Sequence, residues 1–215
     1  HMREKCDAYS KKYKLNFTLL ATPAEGLAGR FTKIDRKEYG AIEGVNTRDY
    51  YTNSFHVPVY YPIGAFEKIE IEAPYHALCN AGHITYIELD GDPSDNIEAF
   101  EAVIRKMKES GIGYGSVNHP VDRDPVCGYS GIIEGDRCPS CGRIESEGDV
   151  PFERLRRITG YLVGSLERWN DGKKAEEHDR VKHDVKCNMN GVYSVEEKSK
   201  REAAKRTQKT MTGKK

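Results

Sequence analysis

The chain has 215 residues, and its 34 basic and 34 acidic side chains cancel to a formal net charge of zero. Hydrophobic residues make up 37% of the sequence and charged residues 32%. The hydrophobic fraction is low for a compact core of this size, but the composition is not that of a disordered chain. No apolar run of about 18 residues and no N-terminal secretion signal can be found, so we expect a cytoplasmic protein without a membrane-spanning helix.

Strands and helices alternate in the pattern of residues 15–117. The apolar segment Leu15–Ala21 is predicted to be a strand. A helix is predicted to follow, with Thr22 as its cap, Pro23 at its first position and Glu25 completing a capping box. Its predicted end is Gly40.

The next elements are less regular. The aromatic stretch Tyr50–Tyr61 is interrupted by a proline and predicts an irregular extended segment or an edge strand. A short helix is expected at Phe66–Ile71, where Pro74 limits its continuation. Residues His83–Leu89 alternate well enough for a strand.

A second long helix is predicted after the turn that contains Ser94, which we expect to cap it. Gly111 should end this helix, and Ile112–Val117 should return as a strand. The apolar residues at helical spacing are Ile97, Phe100, Val103, Ile104 and Met107. The order of elements predicts a mixed α/β sheet or part of a barrel.

The composition changes at about Asn118, and the chain divides into five predicted regions. Residues 1–14 begin with a cloning remnant and continue as a linker or helix, and residues 15–117 form the α/β segment. A metal-stabilised module is predicted at 118–150, a glycine-containing loop with a polar helix at 151–183, and a basic tail at 184–215.

The basic tail carries a charge of +7 from Lys198 to Lys215, which indicates either a solvated end or a contact with nucleic acid or an acidic partner.

Three cysteines of the module have the spacing of a zinc ribbon. Cys138 and Cys141 are separated by two residues, and a glycine follows the second, so both thiolates can chelate one tetrahedral ion. Upstream, Asp124 and Cys127 repeat the same spacing and the same trailing glycine. We therefore predict a structural zinc site with the ligands Asp124, Cys127, Cys138 and Cys141.

Asp124 stands where a fourth cysteine is expected. A carboxylate oxygen can bind zinc but is a harder ligand than a thiolate, so the site should be weaker or more labile. His119 and Asp122 are alternative fourth ligands. A ribbon that is held together by packing alone, without metal, is the other interpretation.

A glycine lies within the apolar and aromatic stretch Arg156–Leu162. By itself, Gly160 indicates a turn or a bulge in a short β-like run. The stretch becomes more informative beside five others in the same chain. The six stretches are LLATPAEGLAGRF (19–31), YTNSFHVPV (51–59), APYHALCNAGHITYIELDG (73–91), NHPVDRDPVCGYSGII (118–133), CPSCGR (138–143) and RITGYLVG (157–164).

Together these stretches resemble, in order, the C-terminal part of anaerobic (class III) ribonucleoside-triphosphate reductases, from about Leu15 to His183. The resemblance implies the C-terminal part of the ten-stranded α/β barrel of glycyl radical enzymes and ribonucleotide reductases, with an appended zinc-ribbon module and a glycyl radical loop. It also implies that Gly160 carries a backbone radical, with Gly164 as a second candidate. The implied partner is an activase that uses S-adenosylmethionine and an iron–sulfur cluster to generate the radical.

The resemblance covers only the end of the family's pattern. The family's thiyl cysteine has no counterpart here, and Cys79 is interpreted as a buried small hydrophobe. The chain is therefore expected to be a fragment or a split subunit that is inactive alone and exposes apolar surface. The complete enzyme, with its N-terminal barrel portion, would be a homodimer that reduces ribonucleoside triphosphates. The alternative function is a zinc-ribbon module that binds nucleic acid or protein.

Overall fold

The computed structural model describes residues 1–89, 91–119, 121–133, 135–158, 161–163 and 169–185. The chain divides into two units, residues 1–185 and residues 186–215, and every element below belongs to the first. Its helices are α1 (Met2–Tyr13), α2 (Glu25–Tyr39), α3 (Ala65–Leu78), α4 (Ile97–Ser110) and α5 (Asp171–Asp179), with 3₁₀ turns at Pro93–Asp95 and Glu145–Glu147. Its strands are β1 (Thr85–Glu88), β2 (Gly115–Asn118), β3 (Val121–Arg123), β4 (Ser130–Gly131), β5 (Glu153–Ile158) and β6 (Tyr161–Val163).

A parallel strand pair organises the first half of the unit. Strands β1 and β2 run side by side, with Thr85 opposite Gly115 and Glu88 opposite Asn118. Parallel neighbours need a crossover, and α4 provides it between the two strands. This β-α-β arrangement confirms the predicted α/β class. None of the helices in the described residues is long and apolar enough to cross a membrane.

The apolar core lies between this strand pair and the helices α3 and α4. Its fully enclosed members come from α3, from β1 with the residue after it, and from α4. They are Ala65, Ile69, Ile87, Leu89, Val103 and Met107. Burying an isoleucine, leucine, valine or methionine side chain contributes about 1.5–3 kcal/mol, so this cluster is the main source of stability for the β-α-β unit.

Helix α4 ends where the sequence predicts, but its start and its outer face differ from the prediction. Gly111 adopts a left-handed conformation with φ 82° and closes the helix. The cap is Asn96, whose side chain accepts a hydrogen bond from the Ala99 amide, and not Ser94. Ile97 and Ile104, predicted to lie on the buried face, are exposed because no described element covers that side of the helix.

An antiparallel sheet with the strand order β4-β3-β5-β6 forms the second half of the unit. Strand β3 pairs with β5 so that Val121 faces Leu155 and Arg123 faces Glu153. Strand β5 pairs with β6 so that Ile158 faces Tyr161. The cysteine-rich segment therefore leaves from β3 and returns into β5.

The predicted strand at Leu15–Ala21 does not form. Only Leu20 makes a β-bridge, to Gly82, where the Ala81 amide donates to the Leu19 carbonyl and the Ala21 amide donates to the Gly82 carbonyl. The predicted capping box at Thr22 does not form either. Helix α2 starts after Ala24, whose amide is instead satisfied by the Asn53 side chain.

Helix α3 is longer than predicted, because Pro74 lies inside it and does not end it. A proline in a helix removes one backbone hydrogen bond and leaves the carbonyl four residues earlier, here that of Glu70, without its partner. Both Glu70 and Pro74 are exposed, so water can satisfy that carbonyl. The cost of the proline is therefore small enough for the apolar face of the helix to outweigh it.

Helices α2 and α5 approach each other closely at a pair of glycines. A Cβ atom added to Gly29 would lie 2.8 Å from the Cα atom of Gly172 and 3.0 Å from the carbonyl oxygen of Asp49. All of these neighbours are backbone atoms, which cannot rotate away. The two glycines thus set the distance between the helices.

We predict that Gly29→Ala destabilises the fold, whereas Gly26→Ala on the same helix does not. The alanine methyl group at position 29 must push α5 away, which should lower the free energy of unfolding by about 1–3 kcal/mol. Gly26 has no atom within 4 Å of an added Cβ, so alanine there should be neutral or stabilise by up to about 1 kcal/mol. Chemical denaturation of both variants measures the difference, and equal stabilities would contradict the close contact.

The segment that follows α5 is fastened to β1 by His183. The His183 amide donates to the Glu88 carbonyl at 2.7 Å, and the Glu88 amide donates back to the His183 Nδ1 atom at 2.8 Å. Burial of the imidazole lowers the pKa of His183 to about 4. The neutral ring is the form that can accept the Glu88 hydrogen bond.

We predict that His183 makes the fold less stable in mild acid. Between about pH 6.5 and 4, the unfolded chain binds a proton on this ring that the folded chain does not, so stability is lost as the pH falls through that range. From pH 7.5 to 5 the loss should be about 2 kcal/mol. His183→Asn keeps an acceptor but cannot titrate, so its unfolding free energy should fall by that much less over the same interval. Identical pH dependence in both proteins would contradict this role.

Candidate functional site

Two matching turns bring the predicted metal ligands together. In the first, the Gly128 amide donates to the Asp124 carbonyl at 2.9 Å, and in the second the Gly142 amide donates to the Cys138 carbonyl at 2.9 Å. Both glycines have left-handed backbones, with φ 78° and 75°. The Asp124 turn therefore has the backbone of a cysteine turn although its first side chain is a carboxylate.

The four predicted ligand atoms lie within 4.8 Å of one another. The sulfur atoms of Cys127 and Cys138 are 3.6 Å apart, and the Cys141 sulfur is 3.4 Å from the Asp124 Oδ2 atom. A tetrahedral zinc ion with Zn–S bonds of about 2.3 Å separates its sulfur ligands by about 3.8 Å. The three thiols and the carboxylate therefore fit a zinc ion both in donor type and in spacing.

Arg143 holds the predicted ligand Asp124, a contact that the cysteine spacing does not indicate. Its Nε and Nη2 atoms donate to Asp124 Oδ1 at 3.1 and 2.7 Å, and the Val126 amide also donates to that oxygen at 2.9 Å. The hydrogen bonds from Arg143 hold the pKa of Asp124 well below its usual range. The Oδ2 atom, which receives a single contact from Arg143, faces Cys141. One oxygen is thus fixed by donors while the other is directed at the thiols.

The thiol of Cys138 is also prepared for metal binding. It is 1% exposed, and burial alone would raise its pKa. The backbone amides of Cys141 and Ser140 outweigh that effect and lower the pKa of Cys138. The thiolate, which is the form that binds metals, is therefore favoured.

The alternative ligands are placed differently. Asp122 is buried, but its Oδ2 atom accepts the Ile133 amide at 2.9 Å and its Oδ1 atom accepts Arg156 at 2.6 Å. His119 is not among the residues whose donor atoms cluster with the cysteines. The geometry favours Asp124 as the fourth ligand over both alternatives.

Gly160 and Gly164 lie outside the described residues, but the strands beside Gly160 are described. Tyr161, the residue after Gly160, begins β6 and faces Ile158 of β5. The next pair of this ladder is Arg157 with Leu162. The Arg-Ile-Thr-Gly-Tyr stretch therefore begins in β5, with Arg157 and Ile158, and ends in β6, with Tyr161.

Arg157 connects this strand pair to the parallel strands. Its Nη2 atom donates to the Glu88 carboxylate at 3.0 Å, and its guanidinium lies 3.5 Å from the centroid of the Tyr86 ring. Arg180 donates to the Arg157 carbonyl at 2.9 Å. Although burial raises the pKa of Glu88, the charges of Arg180 and Arg157 outweigh it and lower that pKa, so the carboxylate is ionised. A partly buried, hydrogen-bonded ion pair therefore holds the end of β5 against β1.

A small cavity of about 40 Å³ lies beside this ion pair. Its lining includes Tyr50, His56, Lys68, Glu88, Arg157 and His183.

The α/β fold is shared with solved anaerobic ribonucleotide reductases. One structure of that name aligns over 85% of this chain and 27% of its own, with a TM-score of 0.66 and 23% identity. The anaerobic ribonucleotide reductase from Thermotoga maritima, solved with glycerol in its active site, aligns over 75% of this chain and 23% of its own, with a TM-score of 0.54 and 23% identity. At this level of identity the likeness shows the fold.

The sequence comparison defines the family. A sequence model described as anaerobic ribonucleoside-triphosphate reductase matches residues 1–183. The protein of that name from Enterobacteria phage T4 is 41% identical over 172 residues, or 78% of this chain and 28% of the phage protein. Its counterpart from Escherichia coli (strain K12) is 36% identical over 187 residues, or 85% of this chain and 26% of its own.

The chain belongs to the family of anaerobic ribonucleoside-triphosphate reductases, which confirms the resemblance read from its motifs. It spans about a quarter of the length of these curated relatives.

We predict that the residue at position 124 sets the affinity of the cysteine cluster for zinc. Asp124→Cys should raise the affinity roughly tenfold or more, because a thiolate is the softer ligand. Asp124→Asn should lower it by a similar factor, because the amide loses both the anionic oxygen and the ion pair with Arg143. Competition with a coloured chelator measures these changes. Asp149→Asn, which alters an exposed carboxylate of the same segment, is the matched control and should leave the affinity unchanged. Equal affinities in the wild-type chain and Asp124→Cys would contradict the prediction.

Proposed function

We propose that this chain is the radical-bearing C-terminal part of an anaerobic ribonucleoside-triphosphate reductase, with Gly160 as the radical site. The observation that carries the proposal is the family match through residue 183, which includes the whole Arg157–Tyr161 stretch. The complete enzyme reduces ribonucleotides to deoxyribonucleotides, which supplies the precursors of DNA replication. In this proposal it acts in the cytoplasm as a homodimer.

Glycine suits this role for a physical reason. Removing one hydrogen from its Cα atom leaves an unpaired electron that is shared between the amide nitrogen and the carbonyl, which requires a planar Cα. Glycine has no Cβ atom to clash in that geometry. An activase that uses S-adenosylmethionine and an iron–sulfur cluster supplies the abstracting deoxyadenosyl radical. The Cα–H bond of Gly160 breaks, its hydrogen atom passes to that radical, and one electron stays on the glycine.

The described residues that precede and follow Gly160 in the sequence are held by contacts with the rest of the unit. Arg157, three positions earlier, is held by Glu88 and by the Tyr86 ring. Ile158 of β5 pairs with Tyr161 of β6, the residue that follows Gly160 in the sequence. We infer that these contacts bring the glycine loop back to the same position after the activase has acted on it. The radical would then be stored in a defined place.

The cysteine cluster has a structural role in this proposal. Asp124, Cys127, Cys138 and Cys141 would hold a zinc ion, and a closed four-ligand site contributes folding energy and no reaction step. Strand β3, which leads into the cluster, is hydrogen-bonded to β5, which leads towards Gly160. We therefore propose that the zinc ribbon braces the radical loop.

The chain is proposed to act only with the rest of the reductase. The thiyl cysteine and most of the ten-stranded barrel would come from the N-terminal portion, which also binds the ribonucleoside triphosphate. Cys79 is buried and burial raises its pKa, so it has the character of a packing residue and not of a reactive thiol. Exposed apolar side chains on α2 and α4, such as Phe31 and Ile104, are candidates for contact with that portion.

We predict that Gly160, and not Gly164, carries the radical. The chain is incubated without oxygen with the activase, reductant and S-adenosylmethionine, and its electron paramagnetic resonance spectrum is recorded. The wild-type chain and Gly164→Ala should give a doublet from the single remaining Cα hydrogen, and Gly160→Ala should give none. Glycine deuterated at Cα should collapse the doublet. Exposure to air should then cut the wild-type backbone at Gly160.

The activase is checked on a full-length reductase in the same preparation. If that reductase gives the doublet and this chain does not, the proposal is wrong. A doublet that persists in Gly160→Ala and disappears in Gly164→Ala would move the radical to Gly164.

A further inference from the structure

A second group of metal-binding side chains lies apart from the cysteine cluster. Donor atoms of His56, Glu72 and His83 lie within 4.8 Å of one another. Glu72 belongs to α3, His83 precedes β1, and His56 lies in the irregular segment between α2 and α3. Three segments that are distant in sequence therefore direct imidazole and carboxylate groups to one point.

His83 is a buried residue of this group whose ring nitrogens have no hydrogen-bond partner. Its side chain is only 3% exposed, and both of its ring nitrogens lack a hydrogen-bond partner. Leaving a buried polar group unpaired costs about 1–3 kcal/mol, so native structures pair such groups with protein, water or an ion. Burial, together with the charges of its histidine neighbours, lowers the pKa of His83 to about 4. At neutral pH its ring is therefore the neutral, metal-binding form.

Glu72 offers one of its two oxygens. The Oε1 atom accepts the Val57 amide at 2.9 Å and the Lys68 ammonium, while Oε2 lies 3.5 Å from the His56 Nδ1 atom. Burial raises the pKa of Glu72, but the hydrogen bond from His56 and the charge of Lys68 outweigh it and lower the pKa to about 2. Metal-binding carboxylates are commonly held in this way, with outer partners on the oxygen that does not bind.

The neighbouring His76 is excluded from the ligand set. Its Nδ1 atom accepts the Gly113 amide at 3.2 Å, which leaves the proton on Nε2, where it can be donated to the Thr85 hydroxyl at 2.9 Å. Both of its ring nitrogens are therefore in use.

The alternative explanation of the cluster is aromatic packing without a metal ion, since His56 and His83 stack with their ring centroids 5.0 Å apart. Packing explains the stack, but it gives the two His83 nitrogens no partner.

We propose that His56, Glu72 and His83 form a binding site for a divalent transition metal ion of the zinc or ferrous iron class. Two imidazoles and one carboxylate are a ligand set that such ions take, with positions left for water or another ligand. Bonds of about 2.0–2.2 Å place the ligand atoms of one ion within roughly 4.4 Å of each other, so small side-chain rotations complete the site. A bound ion would cross-link the segment before α3, α3 itself and the start of β1. This site does not depend on the radical at Gly160.

Cobalt(II) distinguishes the two candidate sites in one titration. Cobalt bound to thiolates gives intense charge-transfer bands, whereas cobalt bound to imidazole and carboxylate gives only weak visible bands. The full 215-residue chain, freed of metal and kept without oxygen, is titrated and its bound cobalt is counted. We expect one equivalent without thiolate bands, in addition to any equivalent bound by the cysteines.

Three variants make the assignment specific. His83→Gln and Glu72→Gln should each lose the equivalent that lacks thiolate bands and keep any cysteine-bound cobalt, and circular dichroism checks that each variant retains the helix content of the wild-type chain. His76→Asn, which retains an acceptor for the Gly113 amide, is the matched control and should lose nothing. Cys138→Ser should weaken the thiolate bands and leave the other equivalent.

The titration of the wild-type chain decides the proposal even if a variant fails to fold. If all of the cobalt bound by the wild-type chain gives thiolate bands, or if none binds, the site does not exist. Retention of the band-free equivalent in a folded His83→Gln variant would also overturn the assignment.

Discussion

The partly buried ion pair between Arg157 and Glu88 links the two halves of the described structure. Glu88 belongs to the parallel pair at the centre of the α/β unit, and Arg157 belongs to the antiparallel sheet that carries the cysteine segment. An ion pair that is largely removed from water contributes little by itself, because desolvation offsets much of the attraction, but the loss of one partner leaves an uncompensated charge. Removing either charge should therefore weaken the contact between β5 and β1 more than the pair itself stabilises it.

The predictable parts of the fold were those controlled by local backbone chemistry. Gly40 and Gly111 end helices as predicted, since a left-handed or otherwise unusual backbone at the helix end favours glycine. The cysteine spacing predicted which residues would converge, because two residues between ligands allow a single ion to be chelated. The start of α2 was wrong because the amide of Ala24 finds its partner in Asn53, which is distant in sequence.

The parts that could not be predicted depend on contacts between distant segments. Pro74 is tolerated within α3 because that face of the helix is exposed, which a propensity rule cannot know. Arg143 follows the second cysteine turn, so its proximity to the thiols was foreseeable, but its pairing with Asp124 depends on the folding of two turns onto each other. The grouping of His56, Glu72 and His83 has no sequence spacing at all that would suggest a site.

The ladder between β3 and β5 has a consequence for how this part of the molecule can change. The cysteine-rich excursion leaves the ladder after Arg123 and rejoins it at Glu153, and these two residues face each other. Facing residues of antiparallel strands lie about 5 Å apart, the distance that an ordinary tight turn also spans. The segment between Arg123 and Glu153 can therefore vary without moving the strands on either side of it. A shorter turn, or a segment with other metal ligands, can connect the same two residues without altering the register of β5. The substitution of a carboxylate for a thiolate at position 124 is the kind of variation that such an architecture tolerates.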